Sequence, residues 1–133
     1  MARVLVVDDE ELMREAVRFA LEQDGHEVHE AENGQMGLNL FEEVQPDLVV
    51  TDLIMPQKEG IETIRVLRKR HPDAKILVLS GRGGIALNAN LERARQVGAD
   101  ATLLKPCDFD ELRDTVRSLT SPNATQPAAG EKR

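Results

Sequence analysis

Asp8, Asp9 and Asp52 supply carboxylates, Ser80 a hydroxyl and Lys105 an ammonium, and each falls where a short apolar run gives way to polar or loop-forming residues. Carboxylates brought together repel one another unless a cation or a lysine compensates. A hard divalent ion such as Mg2+ suits such a set, because it takes carboxylate and carbonyl oxygens, keeps several waters and binds phosphate oxygens. Asp52 is then free to attack a phosphoryl group and form an aspartyl phosphate, with the cation and Lys105 neutralising the equatorial oxygens as charge shifts. Ser80 can donate a hydroxyl hydrogen bond to the same group. The added charge and acceptor atoms suffice to move a loop whose two packings are close in free energy, so the expected product is a signal.

Those residues need elements to deliver them to one place. Residues 47 to 52 form an apolar strand of the kind buried on both faces, closing on Asp52 and followed by the loop-forming Met55-Pro56. Residues 3 to 7 repeat the pattern and end in Asp8-Asp9-Glu10. A helix is expected from Glu11 to Gln23, where Leu12, Met13, Ala16, Val17, Phe19, Ala20 and Leu21 recur at helical spacing and Gly25 ends the run. Glu27 to Glu32 reads as an outer strand through its alternation, and Asn33-Gly34 turns into a helix over 35 to 44 with Leu38, Leu40, Phe41 and Val44 inward. A third helix carries Ile61, Ile64, Val66 and Leu67 toward His71-Pro72.

Ile76 to Leu79 is a fourth strand leading to Ser80-Gly81. Residues 85 to 96 make weaker helix material, and the most mobile part of the domain is expected there. Ala101 to Leu104 is a fifth strand ahead of Lys105-Pro106, and Asp108 caps a last helix through Phe109, Leu112, Val116 and Leu119. Strands alternating with helices across short loops read as an α/β, doubly wound parallel sheet with five helices and right-handed crossovers. Asp8/Asp9, Asp52, Ser80 and Lys105 then share the carboxyl edge, where ligands bind in open α/β sheets.

Composition narrows the class. A chain of 133 residues holds one domain, expected over 1–120, with a disordered tail over 121–133. A net charge of -7 gives the long-range field the wrong sign for a phosphate-backbone binder, and three phenylalanines make no base-stacking platform, so no nucleic-acid partner is expected. No apolar run approaches the ~20 residues of a membrane span, and no signal-like segment opens the chain. A single cysteine, Cys107, fits a reducing cytoplasm and reads as a plain loop residue. His26, His29 and His71 stand apart in polar contexts and read as surface histidines.

With Asp8-Asp9, Asp52 with Met55-Pro56, Ser80-Gly81 and Lys105-Pro106 in order at strand ends, residues 3 to about 119 resemble the response-regulator receiver domain of two-component phosphorelays. The resemblance implies a flavodoxin-like five-stranded sheet in the order 2-1-3-4-5. It implies that Asp52 accepts phosphate from a phosphohistidine on a sensor histidine kinase or a histidine phosphotransfer protein. It further implies that Asp9, Asp52 and the carbonyl of Ile54 ligate Mg2+, with Asp8 acting mostly through water. Lys105 would contact the phosphoryl group and Ser80 would follow it as the switch hydroxyl. The resemblance also implies that water removes the phosphate, which would make the domain a self-phosphorylating and self-dephosphorylating switch more than a turnover enzyme on an external substrate.

The chain departs from the family where relatives often carry Tyr or Phe in the fifth strand and it has Thr102. Its interval from Ser80 to Lys105 is long, with the extra length at Arg82-Gly83-Gly84. Ile54 offers no polar group to orient water, so slow hydrolysis is expected. With no DNA-binding segment after residue 119, the expected output is contact with an unknown downstream protein, as a monomer or weak dimer. The alternative is a degenerate receiver that docks proteins regardless of phosphorylation. A haloacid-dehalogenase-like phosphatase would want a second acid where Ile54 stands, and a flavodoxin-like electron carrier would need a phosphate-cradling loop and aromatic cover.

Overall fold

The computed structural model describes residues 2–52, 59–80, 86–104 and 108–121. Its elements, in chain order, are β1 (Arg3–Val7), α1 (Glu11–Gln23), β2 (Glu27–Ala31), α2 (Gly34–Val44) and β3 (Leu48–Asp52), then α3 (Glu59–Arg70), β4 (Ile76–Ser80), α4 (Ala86–Val97), β5 (Ala101–Leu104) and α5 (Phe109–Thr120). All strand pairings are parallel, in the order β2-β1-β3-β4-β5. The expected fold, with β2 at an edge, is therefore the observed one. Met55-Pro56, Gly81 to Ile85, Lys105-Pro106-Cys107 and the expected tail from Pro122 onward lie outside the described residues.

Alternation along the strands builds a core on each face of the sheet. Leu5, Val7, Val49, Ile76 and Val78 face Phe41 of α2, Ile61, Ile64 and Leu67 of α3 and Ala94 of α4. Val4, Val6, Leu48, Val50, Leu77 and Leu79 face Val17 and Leu21 of α1 and Leu112 and Val116 of α5. Burying both faces is what lets β1 and β3 be almost wholly apolar, and it leaves their charged residues only at the ends. Among the described residues no helix is long and apolar enough to cross a membrane.

Local chemistry sets the ends. Asn33 caps α2 by accepting the Met36 N–H at 2.8 Å, and Asp108 accepts the Asp110 N–H at 2.8 Å at the start of α5, as its position predicts. Gly25 follows α1 at φ +90°, a left-handed conformation that glycine adopts without a Cβ penalty. The lower corner of α3 and α4 is tied by one side chain that sequence reading did not single out. The Arg68 guanidinium donates to the carbonyls of Pro72, Ala74 and Gly98 and to the Asp100 carboxylate, all between 2.6 and 2.9 Å.

Two expectations need correction. The apolar residues of α1 do not form one inward stripe: Val17, Ala20 and Leu21 are buried, whereas Leu12 is 77% and Phe19 63% exposed. At about 100° per residue, Leu12 and Phe19 fall on the side of the helix opposite Val17. His26, expected on the surface, is only 8% exposed. It sits where β2 begins beside the N-terminal end of β1, and its Nδ1 accepts the Ala2 N–H at 3.1 Å. That bond satisfies a backbone donor that would otherwise be buried alone. His29 is half-buried against Glu27, and His71 lies against Phe41 with ring centroids 4.4 Å apart while pairing with Glu42.

Candidate functional site

β1 and β3 lie side by side in register, Val7 opposite Thr51, so the residues that follow, Asp8 and Asp52, emerge together at the carboxyl edge. Between them the chain changes direction: β1 leads outward to β2, whereas β3 leads the other way to β4 and β5. Such a topological switch point leaves a crevice that no crossover helix covers, which is where open α/β sheets hold ligands. Asp8, Asp9 and Asp52 converge there, each offering a carboxylate oxygen within 4.8 Å of the others. Asp8 is 2% and Asp52 5% exposed, while Asp9 stands exposed at the rim.

The start of α1 decides how the acids on β1 are spent. Acids ahead of a helix commonly cap it, but here the N-cap position is Glu10, and it makes no side-chain capping bond. Asp8 instead accepts the Glu10 N–H at 2.9 Å through Oδ1, a tight local turn that keeps the carboxylate beside the sheet edge. Its own N–H donates to the Ala31 carbonyl at 3.1 Å, continuing the ladder with β2 by one residue. Asp9 is thereby left directed at the cluster rather than into the helix.

Three carboxylates at this spacing, two of them buried, are a donor set for a hard divalent cation, since oxygen ligands of this charge suit Mg2+ or Ca2+ and the mutual repulsion of the acids is relieved when a cation lies among them. The remaining expected participants come from neighbouring strand ends. Ser80 closes β4 and pairs with Leu104, the last residue of β5, and Asp52 pairs with Leu79 one step earlier. The backbone thus brings Ser80 and the end of β5 to the same edge as the acids. Ile54 and Lys105, and the side chain of Ser80, lie outside the described residues.

Sequence reading missed two residues behind the acids. Arg14 donates from Nη1 to the Asp8 carbonyl at 2.7 Å and from Nε to Glu30 at 2.9 Å, and Arg18 also pairs with Glu30. The available signal was an arginine one helical turn beyond Glu10, beside the inward Met13 and Val17. Thr102, at the position noted as unusual, is half-buried and accepts a bond from Arg95 of α4 at 3.3 Å.

Comparison with known proteins agrees with this geometry. The family model for the response regulator receiver domain matches residues 4–117. The response regulator MprA of Mycolicibacterium vanbaalenii is 38% identical over 130 residues, which cover 97% of this chain and 54% of that protein. The sensor kinase CckA of Brucella abortus is 38% identical over 120 residues, 89% of this chain and 12% of that protein. Among solved structures, a response regulator receiver domain protein from Clostridium thermocellum superposes with a TM-score of 0.80 at 32% identity, covering 89% of this chain and 93% of that one. The chain spans about half the length of the first curated relatives it matches. It belongs to the response regulator receiver domain family of two-component signalling.

Proposed function

We propose that this receiver domain is a phosphoacceptor switch in which Asp52 takes a phosphoryl group from a phosphohistidine and thereby changes the proteins the domain contacts. The observation that carries the reading is the convergence of Asp8, Asp9 and Asp52 within 4.8 Å at the switch point of the sheet. Response regulators interact with sensor kinases, and the donor would be such a kinase or a histidine phosphotransfer protein. A carboxylate oxygen of Asp52 attacks phosphorus, the P–N bond to the donor imidazole breaks, and the imidazole leaves with the electron pair and takes up a proton. The burial of Asp52 favours this step, because the carboxylate is held at the edge with few waters to compete for the phosphoryl group.

Asp8, Asp9, Asp52 and the Ile54 carbonyl would hold Mg2+, with Asp8 acting through water. When bound, the ion neutralises charge on the transferring oxygens. Lys105 would pair with one phosphoryl oxygen and Ser80 would donate its hydroxyl to another. Hydrolysis by water returns the carboxylate, slowly, because Ile54 brings no polar group to orient the attacking water. The setting is the cytoplasm, where sensor kinases present their phosphohistidine, and the downstream target is a protein.

Intact mass tests the reading. The full chain incubated with acetyl phosphate and Mg2+ should gain one phosphoryl group, the gain should require Mg2+, and Asp52→Asn should abolish it. A folded protein that takes no phosphoryl group from acetyl phosphate or from phosphohistidine donors refutes the switch and leaves a phosphorylation-independent docking module.

A further inference from the structure

The peptide joining Asp8 to Asp9 is held through its carbonyl by a side chain of α1. Arg14 reaches back from the second turn of α1 and donates from Nη1 to the Asp8 carbonyl at 2.7 Å. Fixing that oxygen fixes the plane of the Asp8–Asp9 peptide, and with it the direction in which the Asp9 side chain leaves the backbone. The guanidinium is itself braced: its Nε donates to Glu30 Oε1 at 2.9 Å, and the second oxygen of Glu30 is taken by Arg18. Arg14 and Glu30 are 13% and 20% exposed at their side chains, so this pair is shielded from solvent and from salt far better than the rim pairs elsewhere on α1.

The path closes on itself. Glu30 is adjacent in β2 to Ala31, whose carbonyl accepts the Asp8 N–H at 3.1 Å. Asp8 is therefore held at its N–H by β2, at its carbonyl by a residue that β2 braces, and at Oδ1 by the Glu10 N–H. An arginine suits the task because its planar fork can donate along two fixed directions at once, to the Asp8 carbonyl and to Glu30, which a lysine ammonium on a flexible stem cannot reproduce.

We infer that Arg14, braced by Glu30, is a positioning residue for the acidic cluster: by pinning the Asp8–Asp9 peptide it presents both carboxylates to the cation shared with Asp52. This rests on the cation-binding reading given under Proposed function. Two physical effects of removing Arg14 have opposite signs. Loss of a positive charge near three carboxylates would tighten binding of a divalent cation, whereas loss of orientation would weaken it, as removal of groups that orient metal ligands generally does by about 10- to 100-fold. The sign of the change therefore separates positioning from a simple charge effect.

The experiment is calorimetric titration of the full chain with Mg2+ alone, for wild type, Arg14→Met and Arg14→Lys, with urea unfolding of each variant to show that it is folded. Arg14→Met should bind Mg2+ about tenfold more weakly. Arg14→Lys, which keeps the charge but not the fork, should also bind more weakly, by several-fold. A folded variant of either kind that binds Mg2+ as tightly as wild type, or more tightly, overturns the proposal; if Arg14→Met does not fold, Arg14→Lys decides it. Failure of the wild type to bind Mg2+ overturns the cation-site reading itself, and is read from the first titration before any variant is compared.

Discussion

Replacing Asp9 with asparagine should stabilise the cation-free protein and reverse that order when Mg2+ is added. Asp9→Asn keeps the shape of the side chain and removes one of three charges that lie within 4.8 Å of one another. At that separation each like-charge pair costs about 0.9 kcal/mol at the dielectric of water, and Asp9 faces two such partners. Both partners are buried, which lowers the effective dielectric, but each also makes interactions of its own that offset part of the repulsion, so the relief is about 1.5 kcal/mol at low salt. Against it stands the loss of an anion near the N-terminus of α1, worth roughly 0.5 kcal/mol. Repulsion wins, leaving a net gain of about 1 kcal/mol, or about 4 °C in Tm for a domain of this size.

With Mg2+ at a hundred times its Kd the wild type gains about 2.7 kcal/mol by mass action, and a variant that binds the ion more weakly gains less. The chain has no tryptophan, so urea unfolding should be followed by far-ultraviolet circular dichroism, with and without Mg2+ and at low and moderate salt. If Asp9→Asn is no more stable than wild type without the ion at low salt, the three carboxylates are not a repelling cluster and the geometric argument for a cation site fails.

Two further outcomes test the fold that supports the site. Burial holds the pKa of His26 below its ordinary value, opposed by the nearby Asp24 carboxylate, and its Nδ1 must stay unprotonated to accept the Ala2 N–H. Below the ordinary histidine pKa of about 6.5 the unfolded chain takes up a proton that the folded ring resists, so stability should fall as pH drops through that value; His26→Gln should lose less stability than wild type between about pH 7.5 and 5.5, and an equal loss refutes the assignment. Gly98→Ala should cost about 2 kcal/mol in urea unfolding, because Gly98 has φ +122° and an added Cβ would lie 2.8 Å from Nε of Arg68; an unchanged midpoint would mean that the corner can be rebuilt without its clamp.

The acids that meet at the carboxyl edge were legible because strands that are buried on both faces can carry charge only where they end. Asp8 directly follows an apolar run and Asp52 stands one threonine beyond another, and that grammar located them without knowledge of the pairing. Alternating strand and helix patterns likewise implied a parallel doubly wound sheet, since parallel neighbours require crossovers. Periodicity was less informative about faces. Seven apolar residues in α1 exceed what one stripe can bury, and nothing local says that Leu12 and Phe19 stay exposed while Val17 and Leu21 go inward.

What the sequence determined by itself is the inventory of elements, their order and, to within about a residue, where each strand ends, because propensity, periodicity and the cost of burying an unpaired charge all act over a few neighbours. The tertiary structure alone decided that Asp8, Asp9 and Asp52 meet within 4.8 Å, that Arg14 and Glu30 brace the peptide between the first two, and that His26 is buried beneath the Ala2 N–H. Each of these joins groups from different strands and helices across the register of β2, β1 and β3. Such distances depend on how whole elements pack, and no window of local sequence contains them.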